Sequence, residues 1–353
     1  MKEKANKSKK RVKMEYPIKG QKRGRGTMNA TDHNNVVIFD DRGIPSIMCR
    51  FERPKDAEEV PAVFRIGDEV ADAIYISKYP NIVIDSRAYS MPMADPTVNI
   101  TFDEAVQACR CKGSGWHLMT AVEYEYLLNQ SREKGTMPHG NTDWGKDYYH
   151  KDEQGKVSNL GRTYTGTGPV TWNHDHTPYG VSDLNGNVWE WLAGLRIKDG
   201  VIEFVPDNKA ASPYCDLSKD SEEWQQVKTN RGPVRVNVEC GDITIVDLPE
   251  HEEYEPDYDG VRIEELEVEL SEIPQALRDL GIIPEKRAEE ENKTYVYFDA
   301  TEGEYLPFRG SAFHCTSISG PSALYLAYPR SDSLGSFGFR SAFYEVGCIT
   351  NKH

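Results

Sequence analysis

The chain has 353 residues, a mean hydropathy of −0.65 and a formal net charge of −15 at pH 7. This charge argues against non-specific nucleic-acid binding by the body of the protein, and no apolar run reaches the roughly 20 residues of a membrane-spanning helix. We therefore expect a polar, loop-rich soluble protein with one large domain or two ordinary ones.

Residues 1–26 are dense in Lys and Arg, and no apolar segment follows them. This pattern predicts a basic disordered tail and no secretory signal peptide; a partner-binding arm is the alternative interpretation. We expect synthesis in the cytoplasm. The seven cysteines are irregularly spaced, which favours free thiols over a disulfide framework.

An N-terminal extension of short strands is predicted for residues 27–72. Residues 36–39 (VVIF) have the composition of a buried strand, and residues 47–51 predict a second one. The main domain is expected to span residues 73–345. It opens with residues 73–84, which predict a strand, a break at a proline and another strand.

Two capping boxes predict two helices, one beginning at Thr101 and one at Thr120. The apolar residues expected on the inner face of the first helix are Phe102, Ala105, Val106 and Cys109. Those expected on the inner face of the second helix are Val122, Tyr126 and Leu127. Residues 116–119 (WHLM), between the helices, predict a short buried linker.

Turn-forming residues interleaved with aromatics over residues 135–180 predict ordered loops. Residues 183–191 (DLNGNVWEW) then combine an Asn-Gly-Asn turn, which tolerates positive φ, with two tryptophans at strand spacing. An acidic insertion is predicted at about residues 241–291, with a short helix near residues 273–281. Closing strands follow from residue 294, and residues 346–353 form a C-terminal tail.

The order of these motifs resembles the formylglycine-generating, sulfatase-modifying type of C-type lectin domain. The motifs of the C-terminal segment are Arg309-Gly310, Ser322 to Leu326, Pro329 to Ser331, and Gly338 to Ala342. Within that superfamily they are most similar to the variable proteins of diversity-generating retroelements from phages and prophages. The resemblance implies an α+β C-type lectin fold that is loop-rich, with two short helices and mixed small sheets.

The resemblance further implies a diversified receptor-binding surface at about residues 309–342. The side chains expected to share its exposed face are Phe313, His314, Thr316, Ser317, Ser319, Tyr325, Ala327, Tyr328, Ser331, Asp332, Ser336 and Phe337. Strand alternation predicts that Leu324 and Leu326 point inward while Tyr325 and Ala327 point outward. The alternative is that Tyr325, Tyr328 and Phe337 are core aromatics. Tyrosine and serine suit an adaptable binding surface.

The family's calcium-binding loop would place its ligands on the motif at residues 183–191. The positions concerned are Asp183, Gly186, Val188 and Glu190, the outer two through carboxylates and the inner two through backbone carbonyls. The alternative is that Asp183 caps the turn and Glu190 makes a structural hydrogen bond. Apart from this possible calcium ion, no cofactor is expected.

Enzymes of this type use a close cysteine pair, whereas between Arg309 and Arg340 this chain has Cys315 alone. We therefore expect a protein that is not an enzyme. The alternatives are an oxidase of the formylglycine-generating type and a structural tail protein of fixed specificity. His174 and His176 have metal-ligand spacing, although a third ligand is not evident and a polar loop is the simpler interpretation.

The partners implied are a host-surface protein or glycan as ligand, together with phage tail or chaperone proteins. We expect no nucleic-acid partner and no membrane insertion. The expected location is a virion tail tip or, for a prophage-encoded adhesin, the cell surface. An oligomer is possible, although the chain contains no heptad pattern of a coiled coil.

Overall fold

The computed structural model describes residues 34–239, 241–247 and 257–346. The predicted tails and part of the acidic insertion therefore lie outside the described residues. Three α-helices are present in these ranges: α1 (Phe102–Arg110), α2 (Ala121–Lys134) and α3 (Gln275–Asp279). None of them has the length and apolar character that crossing a bilayer requires.

Twenty-one strands make up the sheets of the described part. In chain order they are β1 (Asn35–Phe39), β2 (Pro45–Glu52), β3 (Arg65–Ile66), β4 (Glu69–Val70), β5 (Ala73–Ser77), β6 (Ile82–Ile84), β7 (Arg87–Tyr89), β8 (Trp116–Leu118), β9 (Trp189–Trp191), β10 (Leu195–Lys198), β11 (Val201–Phe204), β12 (Gln225–Gln226), β13 (Arg235–Glu239), β14 (Asp242–Val246), β15 (Tyr258–Arg262), β16 (Glu267–Glu269), β17 (Tyr295–Asp299), β18 (Glu304–Arg309), β19 (Leu324–Tyr328), β20 (Phe337–Phe339) and β21 (Ser341–Glu345). Short 3-10 helices occupy Ala62–Phe64, Val170–Trp172, Pro206–Ala211, Ile263–Glu265, Glu289–Lys293 and Thr316–Ile318.

A five-stranded sheet closes the fold by joining the two ends of the described chain. Its order is β1-β2-β5-β21-β8, and β21 pairs antiparallel with both β5 and β8. Strand β5 is buried throughout, as its unbroken apolar sequence AIYIS predicts. The strands of the predicted N-terminal extension thus add directly to the sheet of the main domain, while the domain boundaries stay a prediction.

A twelve-stranded sheet forms the other face and contains most of the C-terminal segment. Its main path is β15-β17-β19-β18-β10-β11-β13-β14-β16, with β12 beside β11 and with β9 joining β18 to β20. Strands β14, β15 and β16 come from the acidic insertion, so that part of the insertion is integrated into the sheet. Two further pairs, β3-β4 and β6-β7, stand apart.

Both helices predicted from capping boxes are present with the reciprocal hydrogen bonds of that motif. Thr101 and Thr120 are the N-caps, and each accepts a hydrogen bond from the amide of a glutamate three residues on. The predicted inner face of α1 is buried as expected. The α+β class with few helices is confirmed, and α3 supplies the short helix predicted in the insertion.

Two local predictions are wrong, and a third, the inner face of α2, is confirmed for Leu127 and in part for Val122 and Tyr126, which pack against the core. Strand β1 is an exposed edge: Val37 is 53% and Phe39 60% exposed, because β1 pairs on one side with β2 alone in the described sheet. The stretch predicted as a linker at residues 116–119 contains strand β8. The fully buried face of α2 is formed by Tyr124, Leu127 and Leu128, whereas Val122 and Tyr126 are half-buried.

Candidate ligand-binding site

The loop at residues 183–191 packs against the start of the C-terminal segment through two glycines. Gly186 has φ +75°, and a Cβ there would lie 2.1 Å from the carbonyl oxygen of Asn141. Its amide donates to the carbonyl of Gly310 over 2.6 Å. Gly310 has φ +89°, and its Cβ would lie 2.6 Å from the carbonyl oxygen of Leu184. Both positions therefore require glycine.

Arg340 forms the electrostatic centre of the scaffold. It is fully buried; its Nη2 and Nε donate to the two carboxylate oxygens of Glu190 over 2.6 and 2.7 Å. Its guanidinium also donates to the backbone carbonyls of Ser77, Lys78, Ser182 and Asp183. The guanidinium of Arg340, which follows strand β20, thus connects this part of the chain to strand β5 and to the loop at residues 183–191. These contacts support the scaffold role expected for Arg340.

Arg309 plays the corresponding role at the start of the segment. It is 1% exposed, its Nη1 lies 3.8 Å from Glu125 Oε2 on α2, and its Nη2 donates to the carbonyls of Leu280 and Gly281. The end of α3 in the acidic insertion is thus held directly by the first residue of the segment. Burial raises the pKa of Glu125 above its ordinary value.

A cavity of about 400 Å³ opens between β9, β17, β19 and the loops that follow β18 and β19. Six of its twelve lining residues are aromatic: Trp189, Tyr297, Phe308, Tyr325, Tyr328 and Phe337. The others are His314, Cys315, Thr316, Ile318, Leu334 and Ser336. A cavity of this size with aromatic and polar side chains in its lining is typical of small-molecule binding pockets.

The cavity brings together half of the side chains predicted from the sequence. Those that line it are His314, Thr316, Tyr325, Tyr328, Ser336 and Phe337. Ser317, Ala327, Ser331 and Asp332 are exposed or half-buried outside the lining. Within β19, Leu324 and Leu326 are buried and Tyr325 and Ala327 are half-exposed, which confirms the predicted alternation. Tyr328, at the strand end, is half-buried as well.

The expectation that all twelve side chains are exposed is wrong for four of them. Phe313 is 7% exposed because the Trp144 ring covers it, with ring centroids 5.0 Å apart. Ser319 is buried and donates to the carbonyl of Thr316 over 2.6 Å. Ser336 and Phe337 are also buried, although they contribute to the cavity wall. Local alternation does not reveal this burial, since it depends on loops distant in sequence.

Three aromatic side chains that line the cavity, Trp189, Tyr297 and Phe308, lie outside the segment predicted from the sequence. Tyr297 is in register with Tyr325 across the parallel pair β17-β19, and their rings stack 4.2 Å apart at 13°. Trp189 meets the Tyr325 ring nearly at a right angle, 5.7 Å away. The alternating Tyr295 and Tyr297 are the local signal for β17, but the pairing of β17 with β19 joins residues 28 positions apart.

The predicted calcium ligands do not fit a cation well. Both carboxylate oxygens of Glu190 accept from Arg340, and Oδ2 of Asp183 accepts from the amide of Gly166. Burial raises the pKa of Asp183 to about 6. Across the described residues, no group of three or more His, Cys, Asp or Glu side chains is placed to hold a metal ion. Calcium binding stays a prediction.

The remaining candidate catalytic residues have structural surroundings. Burial raises the pKa of the Cys315 thiol to about 11, which disfavours the reactive thiolate. His174 is buried, its Nδ1 accepts from the amide of Val181, and desolvation lowers its pKa to about 4. His176 contacts the carbonyl of Met137 instead of pairing with His174 in a ligand set.

Comparison with known proteins agrees with the motif order. The model of the sulfatase-modifying factor enzyme 1-like domain matches residues 80–233. The formylglycine-generating enzyme of Mus musculus is 35% identical over 105 residues, which are 28% of this chain and 27% of that enzyme. The match thus spans about a quarter of the mouse enzyme, so its activity does not transfer with the similarity.

Two solved structures are similar to the chain at low identity. The Major Tropism Determinant I1 variant is 12% identical with a TM-score of 0.33, covering 86% of this chain and 56% of its own. PvdO from Pseudomonas aeruginosa is 14% identical with a TM-score of 0.36, covering 90% and 100%. Both TM-scores are below 0.5. The match to the sulfatase-modifying factor enzyme 1-like domain covers residues 80–233 and lies within residues 73–345, where the motif order resembles that type of domain.

Proposed function

We propose that this chain is a non-enzymatic ligand-binding protein whose segment 309–342 is a diversified receptor-binding surface. The observation that carries the proposal is the difference in burial between two groups of side chains in this segment. Arg309, Gly310, Phe339 and Arg340 are buried in the scaffold, whereas His314, Thr316, Ser317, Tyr325 and Tyr328 surround or flank one cavity. Such a surface can change its side chains while the backbone beneath stays the same.

The proposed setting follows from the resemblance of the C-terminal motifs to retroelement variable proteins. The protein would act at a phage tail tip, or as a prophage-encoded adhesin, and bind a host-surface protein or glycan. The ring of tyrosine, histidine and serine side chains supports this role, because such residues combine rigid contact area with adaptable hydrogen bonding.

Population sequencing of the coding region for residues 305–345 tests the diversification. We expect substitutions to accumulate at adenine-containing codons of His314, Ser317, Tyr325 and Ser331, while Arg309 and Arg340 stay unchanged. A nearby template repeat is part of the expected result. An invariant segment without such a repeat would contradict diversification and leave a binder of fixed specificity.

An oxidase of the formylglycine-generating type is the second candidate, and the match to the sulfatase-modifying factor domain favours it. Against it stands the chemistry of the segment, where Cys315 is buried and its pKa is raised. Copper-loaded protein and a cysteine-containing substrate peptide separate the two. We expect no aldehyde product by mass spectrometry; turnover that disappears in the Cys315→Ser variant would establish the oxidase instead.

A further inference from the structure

A cluster of aromatic side chains in mutual contact, the aromatic cage, lines the cavity. Trp189 stands at 79° to the ring of Tyr325, and Phe337 stands at 75° to the ring of Tyr328. The Tyr325 and Tyr328 centroids are 5.2 Å apart, and Tyr297 extends the wall by stacking on Tyr325. These centroid distances are those of rings in direct contact, so the rings pack on one another and together form one side of the cavity.

The electrostatics of this space suit a positive charge. Among the described residues that line the cavity, none is Asp, Glu, Lys or Arg. Desolvation raises the pKa of Tyr297 to about 12 and lowers the pKa of His314, so both side chains are neutral at pH 7. A neutral aromatic wall attracts a cation through the negative faces of its rings, and tryptophan is the strongest partner.

An acidic side chain lies near the cavity. Burial raises the pKa of the Tyr328 phenol, and the nearby Asp332 carboxylate raises it further. Arg330, on the same loop, is paired with Glu304 and Asp103 and is therefore neutralised. A cationic ligand would thus pass an acidic side chain near the cavity. Inside the cavity it would meet no Lys or Arg side chain that could repel it.

From this geometry we infer that the cavity binds a quaternary ammonium group, such as that of choline. The inference rests on the proposed function, because it names the ligand chemistry of the same site. A trimethylammonium group has no N–H donors, which suits a wall built mostly of rings. Its diffuse charge is also less costly to desolvate than a primary ammonium, so cation–π contacts decide its binding.

Calorimetric titration of the full chain with choline tests the inference. The matched control ligand is 3,3-dimethylbutan-1-ol, which has the same shape with carbon in place of the charged nitrogen. We expect choline to bind at least tenfold more tightly than this neutral alcohol. Equal affinity of the two, or no heat from choline with folded protein, would overturn the inference.

Substitutions locate the binding within the cavity. Tyr297→Leu and Tyr325→Leu remove ring faces and are expected to weaken choline binding at least fivefold, whereas Tyr325→Phe retains it. Tyr214→Leu is the matched control, since Tyr214 is 87% exposed and does not line the cavity. Near-ultraviolet circular dichroism confirms folding of each variant. Unchanged choline affinity in both folded leucine variants would place the binding elsewhere and refute the cage.

The source of the group is distinguished with two further small ligands. Phosphocholine represents a choline ester and the amino acid trimethyllysine represents a methylated lysine; tighter binding of either one identifies the source. The diversified-surface proposal fails on population sequencing, whereas the cage fails on calorimetry. A folded protein that discriminates receptors but shows no preference for choline over the neutral alcohol would refute the cage alone.

Discussion

Replacing Arg340 with methionine tests whether the C-terminal segment depends on its buried ion pair. Arg340 is fully buried, binds both oxygens of Glu190 and donates to four backbone carbonyls. The substitution keeps much of the apolar stem but leaves the Glu190 carboxylate buried without its counter-ion. Breaking a buried pair in this way costs about 3–5 kcal/mol of unfolding free energy. That loss is a large share of the roughly 5–15 kcal/mol typical of a folded domain.

Urea unfolding followed by tryptophan fluorescence measures the loss, provided that the slope m is unchanged. The matched control is Arg42→Met, which breaks an exposed pair with Asp85 and is expected to cost less than about 1 kcal/mol. In the double variant Arg340→Met/Glu190→Gln the uncompensated charge is gone, so at least about 1 kcal/mol should return. A loss below about 1 kcal/mol in Arg340→Met would refute the central role of this pair.

Three further predictions concern the core, the cavity wall and the backbone. Desolvation lowers the pKa of Lys112 to about 7 in the folded protein, so the unfolded chain binds more protons than the folded chain between pH 7 and 10. The unfolding free energy, measured by urea titration relative to Lys112→Met, should therefore rise by about 3–5 kcal/mol across that range. Phe337→Ala should lose about 3–5 kcal/mol, whereas Ser331→Tyr should change thermal stability little, and equal losses would contradict the division between scaffold and surface. Gly310→Ala should cost more than about 1 kcal/mol because its φ is +89° and Leu184 is close; unchanged urea midpoints would show that the turn relaxes.

Much of the local structure is predictable because its causes lie within a few residues. The capping boxes at Thr101 and Thr120 place both helix starts, since a hydroxyl and a glutamate three residues apart satisfy the first free amides. The Asn-Gly-Asn turn likewise has the positive φ values at Gly186 and Asn187 that its composition allows. Alternation also predicts which residues of β19 point inward.

Burial within the candidate site is less predictable, because it depends on elements far away in the chain. Phe313 lies in a polar segment that the sequence predicts to be exposed, yet the loop that carries Trp144 covers its ring. Tyr297 has no local feature that marks a binding residue, and the parallel pairing of β17 with β19 brings it onto Tyr325. Sheet pairing over long separations leaves no local trace except alternation.

The sequence by itself determined the helix starts and the glycine turns, because these follow from short-range sterics and hydrogen bonding. The α+β class and the segment proposed as the binding surface came from the resemblance of its motifs to a known family. The tertiary structure alone decided which aromatic side chains share one cavity, and that Glu190 is paired with Arg340 across 150 residues of chain. Such contacts are chosen by the simultaneous packing of distant strands and by the cost of burying a charge without its partner.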